Sequence, residues 1–213
     1  MIEVIVKSKM CNPNRIIKFL EIYYVLYKYK PKTVVEYGYG LSSYIFDEVV
    51  HDGLMTFEED VKWVTFYGDK MGYVPKNLQV HPKIIFDYEG VRTCCYNMVH
   101  DFYADMVYVD APTNKDEETG KYLPCVDVLL MARTPPDIIM VHGRKTTVDF
   151  IRDKMHGYRI IKLRQHTVFK KMEMRCKKGK THCGRPKGSW RCPSYDRGKC
   201  SSVTCCNWQV EKA

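Results

Sequence analysis

No run of 18 apolar residues occurs anywhere in the 213, so a membrane-spanning helix is excluded. The opening Met-Ile-Glu-Val-Ile-Val-Lys is too short and too polar for a signal peptide. Internal repeats and low-complexity tracts are missing as well, which removes solenoid and propeller architectures. Acids are scarce in one place only. Residues 170–213 hold 12 Lys or Arg against 3 Asp or Glu, whereas residues 1–169 hold 22 of each. All of the net charge of +9 therefore lies in the last segment. The same segment holds Cys176, Cys183, Cys192, Cys200, Cys205 and Cys206, six of the ten cysteines, and few aliphatic residues that could build a core. The sequence thus predicts one α/β core domain over 1–169 and a basic, Cys-rich tail over 170–213.

What is present in the core domain begins with Val34-Val-Glu36-Tyr-Gly38-Tyr-Gly40-Leu-Ser42-Ser43. A short apolar run ends in an acid, then in two glycines, then in hydroxyl residues suited to a helix start. That is a strand, a tight turn and a helix N-terminus, an arrangement that holds nucleotide-like cofactors in open α/β sheets. A dinucleotide turn would carry a third glycine where Ser43 stands, and a P-loop would need Gly-Lys-Ser/Thr after its spacer; this turn has neither. An NAD-dependent enzyme is disfavoured by Ser43 and by the acid at Glu36.

Three further apolar runs follow. Leu54-Met-Thr-Phe57 ends in Glu58, 18 residues after Gly40, near the spacing of about 20 at which an acid meets a ribose diol. Asp105-Met-Val-Tyr-Val ends in Asp110, followed by Ala111-Pro112. Pro136-Asp-Ile-Ile-Met-Val ends in His142, followed by Gly143-Arg144-Lys145 and a helix from Thr146 to Met155. A helix is also expected over 12–29, ahead of the first strand.

Taken together, these segments resemble class I S-adenosylmethionine (SAM) methyltransferases over residues 31–170, most closely small viral, phage and bacterial methyltransferase-like proteins. The resemblance implies a Rossmann-like, doubly wound, mostly parallel sheet with helices on both faces. It implies SAM as cofactor, held by Glu36, Gly38, Tyr39, Gly40, Ser42, Glu58 and Asp110, with the acid of the first motif orienting the amino group of SAM. It also implies a site for the transferring methyl beside Asp110. One departure stands out, because His142 occupies a position where the family pattern has Asp. Asp110 is the first candidate base for an O or N acceptor and His142 the second, imidazole being a side chain suited to proton transfer near neutrality. Ribose methyltransferases use a Lys-Asp-Lys-Glu set, of which Asp110 matches one member and Lys145 and Glu173 match only loosely.

The tail admits three readings: a zinc knuckle built from its cysteines and His182, a disulfide framework, or a flexible basic extension. Its cations attract phosphate polymers in any of the three, so RNA or DNA is the expected partner, with a small-molecule acceptor open. No metal ligands are assigned in the core domain. The competing expectation is a non-enzymatic binding protein of methyltransferase-like fold. A reducing cytoplasm, of a host cell if the protein is viral, is the expected compartment.

Overall fold

The computed structural model describes residues 13–131 and 135–172. The chain divides into two units, the first ending at Lys170. The zinc, disulfide and nucleic-acid expectations for the tail, and Glu173 with them, fall outside the described residues.

The first described element of the first unit is helix α1 (Pro13–Tyr29), followed by strand β1 (Val34–Tyr37) and helix α2 (Leu41–Val50). A single 3-10 turn leads to β2 (Leu54–Glu58), and α3 (Val61–Met71) leads to the short β3 (Leu78–Val80). A hairpin of β4 (Lys83–Tyr88) and β5 (Val91–Tyr96) is inserted next. Then come β6 (Met106–Val109), α4 (Asp127–Leu130), β7 (Ile138–His142), α5 (Lys145–Lys154), β8 (Tyr158–Lys162) and β9 (His166–Lys171).

Seven strands form one sheet in the order β3-β2-β1-β6-β7-β9-β8. Pairings from β3 through β7 are parallel, and β9 runs antiparallel to β7. The expected α/β architecture, a mostly parallel sheet with helices on both faces, is therefore present. The central strands β1, β6 and β7 read as near-continuous apolar runs because both of their faces are covered. Side-chain alternation sends Val34, Met106, Tyr108, Ile138 and Met140 to the face covered by α1, α2 and α3. Val35, Tyr37, Val107, Val109, Ile139 and Val141 go to the other, where α4 and α5 pack through Val128 and Ile151.

The β4–β5 hairpin was not anticipated from the sequence. Its turn uses Glu89 (φ 51°) and Gly90 (φ 80°), the paired positive φ angles of a two-residue hairpin loop, and the Asp87 carboxylate accepts from the Gly90 N–H at 2.7 Å. The acidic loop 113–122 is braced rather than loose. Asp116 is fully buried and bonded to Arg92 and Thr119, and the Arg92 guanidinium also reaches Glu118 at 2.6 Å.

The lower ends of β1 and β6 are locked by a reciprocal bracket. Asp105 accepts from the N–H groups of Lys32 (2.8 Å) and Thr33 (3.1 Å) and from the Tyr103 hydroxyl (2.7 Å), while the Thr33 hydroxyl accepts from the Asp105 N–H. Burial opposes ionisation of Asp105, but these donors outweigh it and hold the carboxyl below its usual range. A depressed carboxyl stabilises the fold above its unfolded value, near 3.9, and that share is lost as pH falls through the folded value. Asp105→Ala should therefore cost about 1–3 kcal/mol at neutral pH. In urea unfolding across pH, the gap between variant and wild type should shrink below about pH 4.

Candidate active site

The strand order reverses direction between β1 and β6: from β1 the chain builds outward through β2 and β3, and from β6 through β7. Open α/β sheets place ligands in the crevice at the carboxyl ends of the strands flanking such a point. Every candidate site residue lies at or next to one of those ends.

Gly38 makes the turn after β1 possible. Its φ is +112°, and an added Cβ would sit 2.9 Å from the Ala111 Cβ and 3.1 Å from the Ala111 nitrogen. The Tyr37 carbonyl accepts from the N–H groups of both Asp110 and Ala111 at 2.8 Å, so the ends of β1 and β6 are bound backbone to backbone. Gly40 differs. Its φ of 177° is open to any residue, and a Cβ there would meet nothing within 4 Å. The fold gives no reason for a glycine at this position, whereas a ligand approaching the backbone would.

The other residues of the turn face inward. Tyr39 is buried, packs edge-on against Tyr67, and donates its hydroxyl to the Tyr73 carbonyl. Its backbone carbonyl accepts from the Trp63 indole at 3.0 Å. Ser42 donates to Glu36 at 2.6 Å, and the Ser43 hydroxyl accepts from the Gly40 N–H.

The acids at the strand ends have different surroundings. Glu36 is completely buried between the hydroxyls of Ser42 and Thr56. Burial pushes its carboxyl up to about 8, so it is largely protonated at neutral pH. Glu58 is also buried and raised by burial. One of its oxygens accepts from the N–H groups of Glu59 and Asp60, the other from that of Tyr39 at 3.0 Å.

Asp110 is different again. Its side chain is 28% exposed, with Lys18 Nζ at 2.6 Å from one oxygen and His142 Nδ1 at 2.8 Å from the other. Burial alone would raise its carboxyl, but the charge of Lys18 and the hydrogen bond from His142 overcome that and hold it well below the usual range. Arg144 clamps the same turn from behind, donating to the Asp110 carbonyl and, at 2.7 Å, to the Pro112 carbonyl.

Behind His142 lies a second imidazole. The His166 ring centroid is 5.0 Å from that of His142. His166 is bonded through Nδ1 to Glu21 (2.6 Å) and through Nε2 to the Tyr108 hydroxyl (3.3 Å). Burial, reinforced by His142, pushes His166 down to about 4, so it stays neutral and donates to Glu21 from Nδ1. Glu21 also accepts from the N–H groups of Arg164 and Gln165 and so fixes the turn between β8 and β9.

Lys18, Glu21, Tyr108 and His166 were not among the residues expected from sequence. Lys18 lies 92 residues from Asp110, and Glu21 lies 145 from His166; no local pattern links such pairs. No protein-family model matches the chain, and neither does any curated protein.

Two predictions follow from this geometry. Gly38→Ala should lower the thermal midpoint through strain and the clash with Ala111, while Gly40→Ala should leave it unchanged in the same scans. For Glu36, the folded state retains a proton that the unfolded chain loses near pH 4.3, so wild-type stability should fall as pH rises from there to about 8, then level off. Glu36→Gln should make that slope distinctly shallower in urea titrations, with the buried Glu58 contributing part of what remains.

Proposed function

We propose that the chain is a SAM-dependent methyltransferase acting on an O or N acceptor, with His142 as the base and Asp110 as its partner. The observation that carries this reading is the meeting of the glycine turn with the Asp110–His142 pair at the switch point of the sheet. The unexplained glycine at 40 supports a ligand pressed against that backbone. The N–H groups of Gly40 to Ser43 begin a ten-residue helix whose N-terminal end favours an anionic ligand group. Glu58 keeps acceptor capacity on the oxygen that holds Tyr39, since a carboxylate offers about four lone-pair sites. These residues would hold SAM, which supplies a sulfonium methyl open to in-line attack.

The rest of the chemistry belongs to the protein. His142 donates from Nδ1 to Asp110, which fixes the tautomer and leaves Nε2 as the acceptor atom. Among the described residues, Nε2 has no hydrogen-bond partner. It is the atom able to take a proton from an attacking hydroxyl or amine. Asp110 is too acidic to do so itself, but as a fixed anion it stabilises the imidazolium that forms. Lys18 keeps Asp110 ionised. His166, held neutral, spares the protonated His142 a second positive ring at 5.0 Å.

A second reading has its own support. Glu36 and Glu58 spend most of their hydrogen-bonding capacity within the protein, as they would in a binding protein that kept the fold and did no chemistry. Calorimetric titration of SAM separates the two. Wild type should bind, Gly40→Ala should bind much more weakly while remaining folded, and His142→Ala should bind as wild type. With an acceptor in hand, His142→Ala should lose about 10²–10⁴-fold in methyl transfer. A folded wild type that bound no SAM would sink the enzyme reading.

A further inference from the structure

Around His142 the acids are consumed internally, whereas two of the cations, Lys145 and Arg164, are not. Asp110 is paired to Lys18 and His142, Glu21 to the turn between β8 and β9, and Glu59 accepts from the Thr113 N–H at 2.6 Å. Lys145, three residues past His142, is exposed at the start of α5. Arg164 is exposed in the β8–β9 turn, which abuts the β7–α5 loop through the Gly143 N–H and the Gln165 carbonyl at 3.1 Å. Neither Lys145 nor Arg164 has an ion-pair partner among the described residues. Two cations from neighbouring loops thus lie near the His142 imidazole, whose Nε2 has no hydrogen-bond partner among the described residues.

Helix α1 leads away from the same point. Phe19, Ile22, Val25 and Leu26 bury its inner face. Its outer face exposes Ile16 (44%), Leu20 (60%), Tyr24 (46%) and Tyr27 (82%), four positions at helical spacing that form one stripe roughly 16 Å long. Lys28 lies 5.1 Å from the centroid of the Tyr24 ring and donates to its hydroxyl at 2.7 Å. The helix contains a single acid, Glu21, which is already engaged. Lys18, bonded to Asp110, sits on the first half of this helix, so stripe and site share one rigid element.

We infer that the outer face of α1 and the cations Lys145 and Arg164 bind a single-stranded polynucleotide and present it to His142. Exposed aromatic rings give unpaired bases a face to stack on, and unpaired cations take the phosphates. A duplex stacks its own bases and offers none to Tyr24 or Tyr27. A protein partner would match the cations with acids, but would give no reason for the stripe and Lys18, the partner of Asp110, to share one helix. The inference rests on the methyl-transfer reading for the role of His142, though not for the surface itself.

The test is fluorescence anisotropy of short labelled RNA and DNA single strands with the full-length chain, in separate arms and across a salt series. Tyr24→Ala/Tyr27→Ala should weaken binding about tenfold with an unchanged salt slope. Lys145→Ala/Arg164→Ala should reduce the slope of log affinity against log salt by about 1.4, the share of two phosphate contacts on a single strand. Lys70→Ala/Lys76→Ala, the same charge change elsewhere, should do neither. All three pairs alter exposed residues, and thermal scans confirm folding. Wild-type affinity in the first two variants, equal losses in the third, or no strand binding by wild type would each overturn the proposal. Titrating SAM into the same samples keeps the two readings apart. Strand binding through α1 without SAM binding would refute methyl transfer alone, and SAM binding with variant-insensitive strand affinity would refute the surface alone.

Discussion

Gly38 leaves no room for a side chain, and the geometry of the site follows from that contact. With hydrogen in place of Cβ, the turn after β1 lies against Asp110 and Ala111, and the Tyr37 carbonyl takes both of their N–H groups. The carboxyl ends of two parallel strands are thereby drawn together where the sheet changes direction. Asp110 is fixed in height beside the glycine turn, and Arg144 holds the same segment from the far side. Only then do Lys18 from one helix and His142 from the next strand converge on a single carboxylate. A chain with a bulkier residue at 38 would have to separate β1 from β6, and the Asp110–His142 pair would lose its position relative to Gly40.

Strand ends that read alike in the sequence acquire different electrostatic states from their surroundings. Glu36 has hydroxyl neighbours and, among the described residues, no cation within bonding distance, so burial dominates and the proton stays on. Glu58 is buried among backbone N–H groups, which soften the penalty without removing it. Asp110 has an ammonium and an imidazole against it, and remains an anion. The division resembles that of paired carboxylates in the catalytic sites of enzymes, where environment and not residue type assigns the role. It also explains why an imidazole at 142 is workable. An Asp there would face Asp110 at hydrogen-bond distance and meet like charge, whereas His142 donates to it.

Much of this was legible in the sequence, and what was missed divides into an overlooked local signal and contacts that carry none. Strands β1, β2, β6 and β7 were readable because each is a short apolar run ended by a polar residue, and their parallel pairing follows from the helices between them. Glu36, Gly38, Gly40, Glu58, Asp110 and His142 were located at the strand ends for the same reason. The β4–β5 hairpin was missed, although Glu89-Gly90 between Phe86 and Val91 carried a turn signal. Lys18, Glu21 and His166 could not be found from pattern at all. Lys18 joins the site through a contact across 92 residues and Glu21 meets His166 across 145, the second depending on how far β9 reaches back beside β7.

That reach-back has a chemical consequence. β9 enters antiparallel, so its first residue, His166, stands opposite the last residue of β7, His142. A parallel strand in that place would present its last residue instead, and the partner of His142 would be a Lys from the other end of β9. The antiparallel pairing therefore decides what surrounds His142. It supplies a buried neutral ring tied by Glu21 to the helix that carries Lys18. Helix α1 is thus bound to the sheet through two charged inward residues, Lys18 at Asp110 and Glu21 at His166. A shift of α1 along its axis would break both contacts together, so the charge on Asp110 and the neutrality of His166 are controlled by one rigid element.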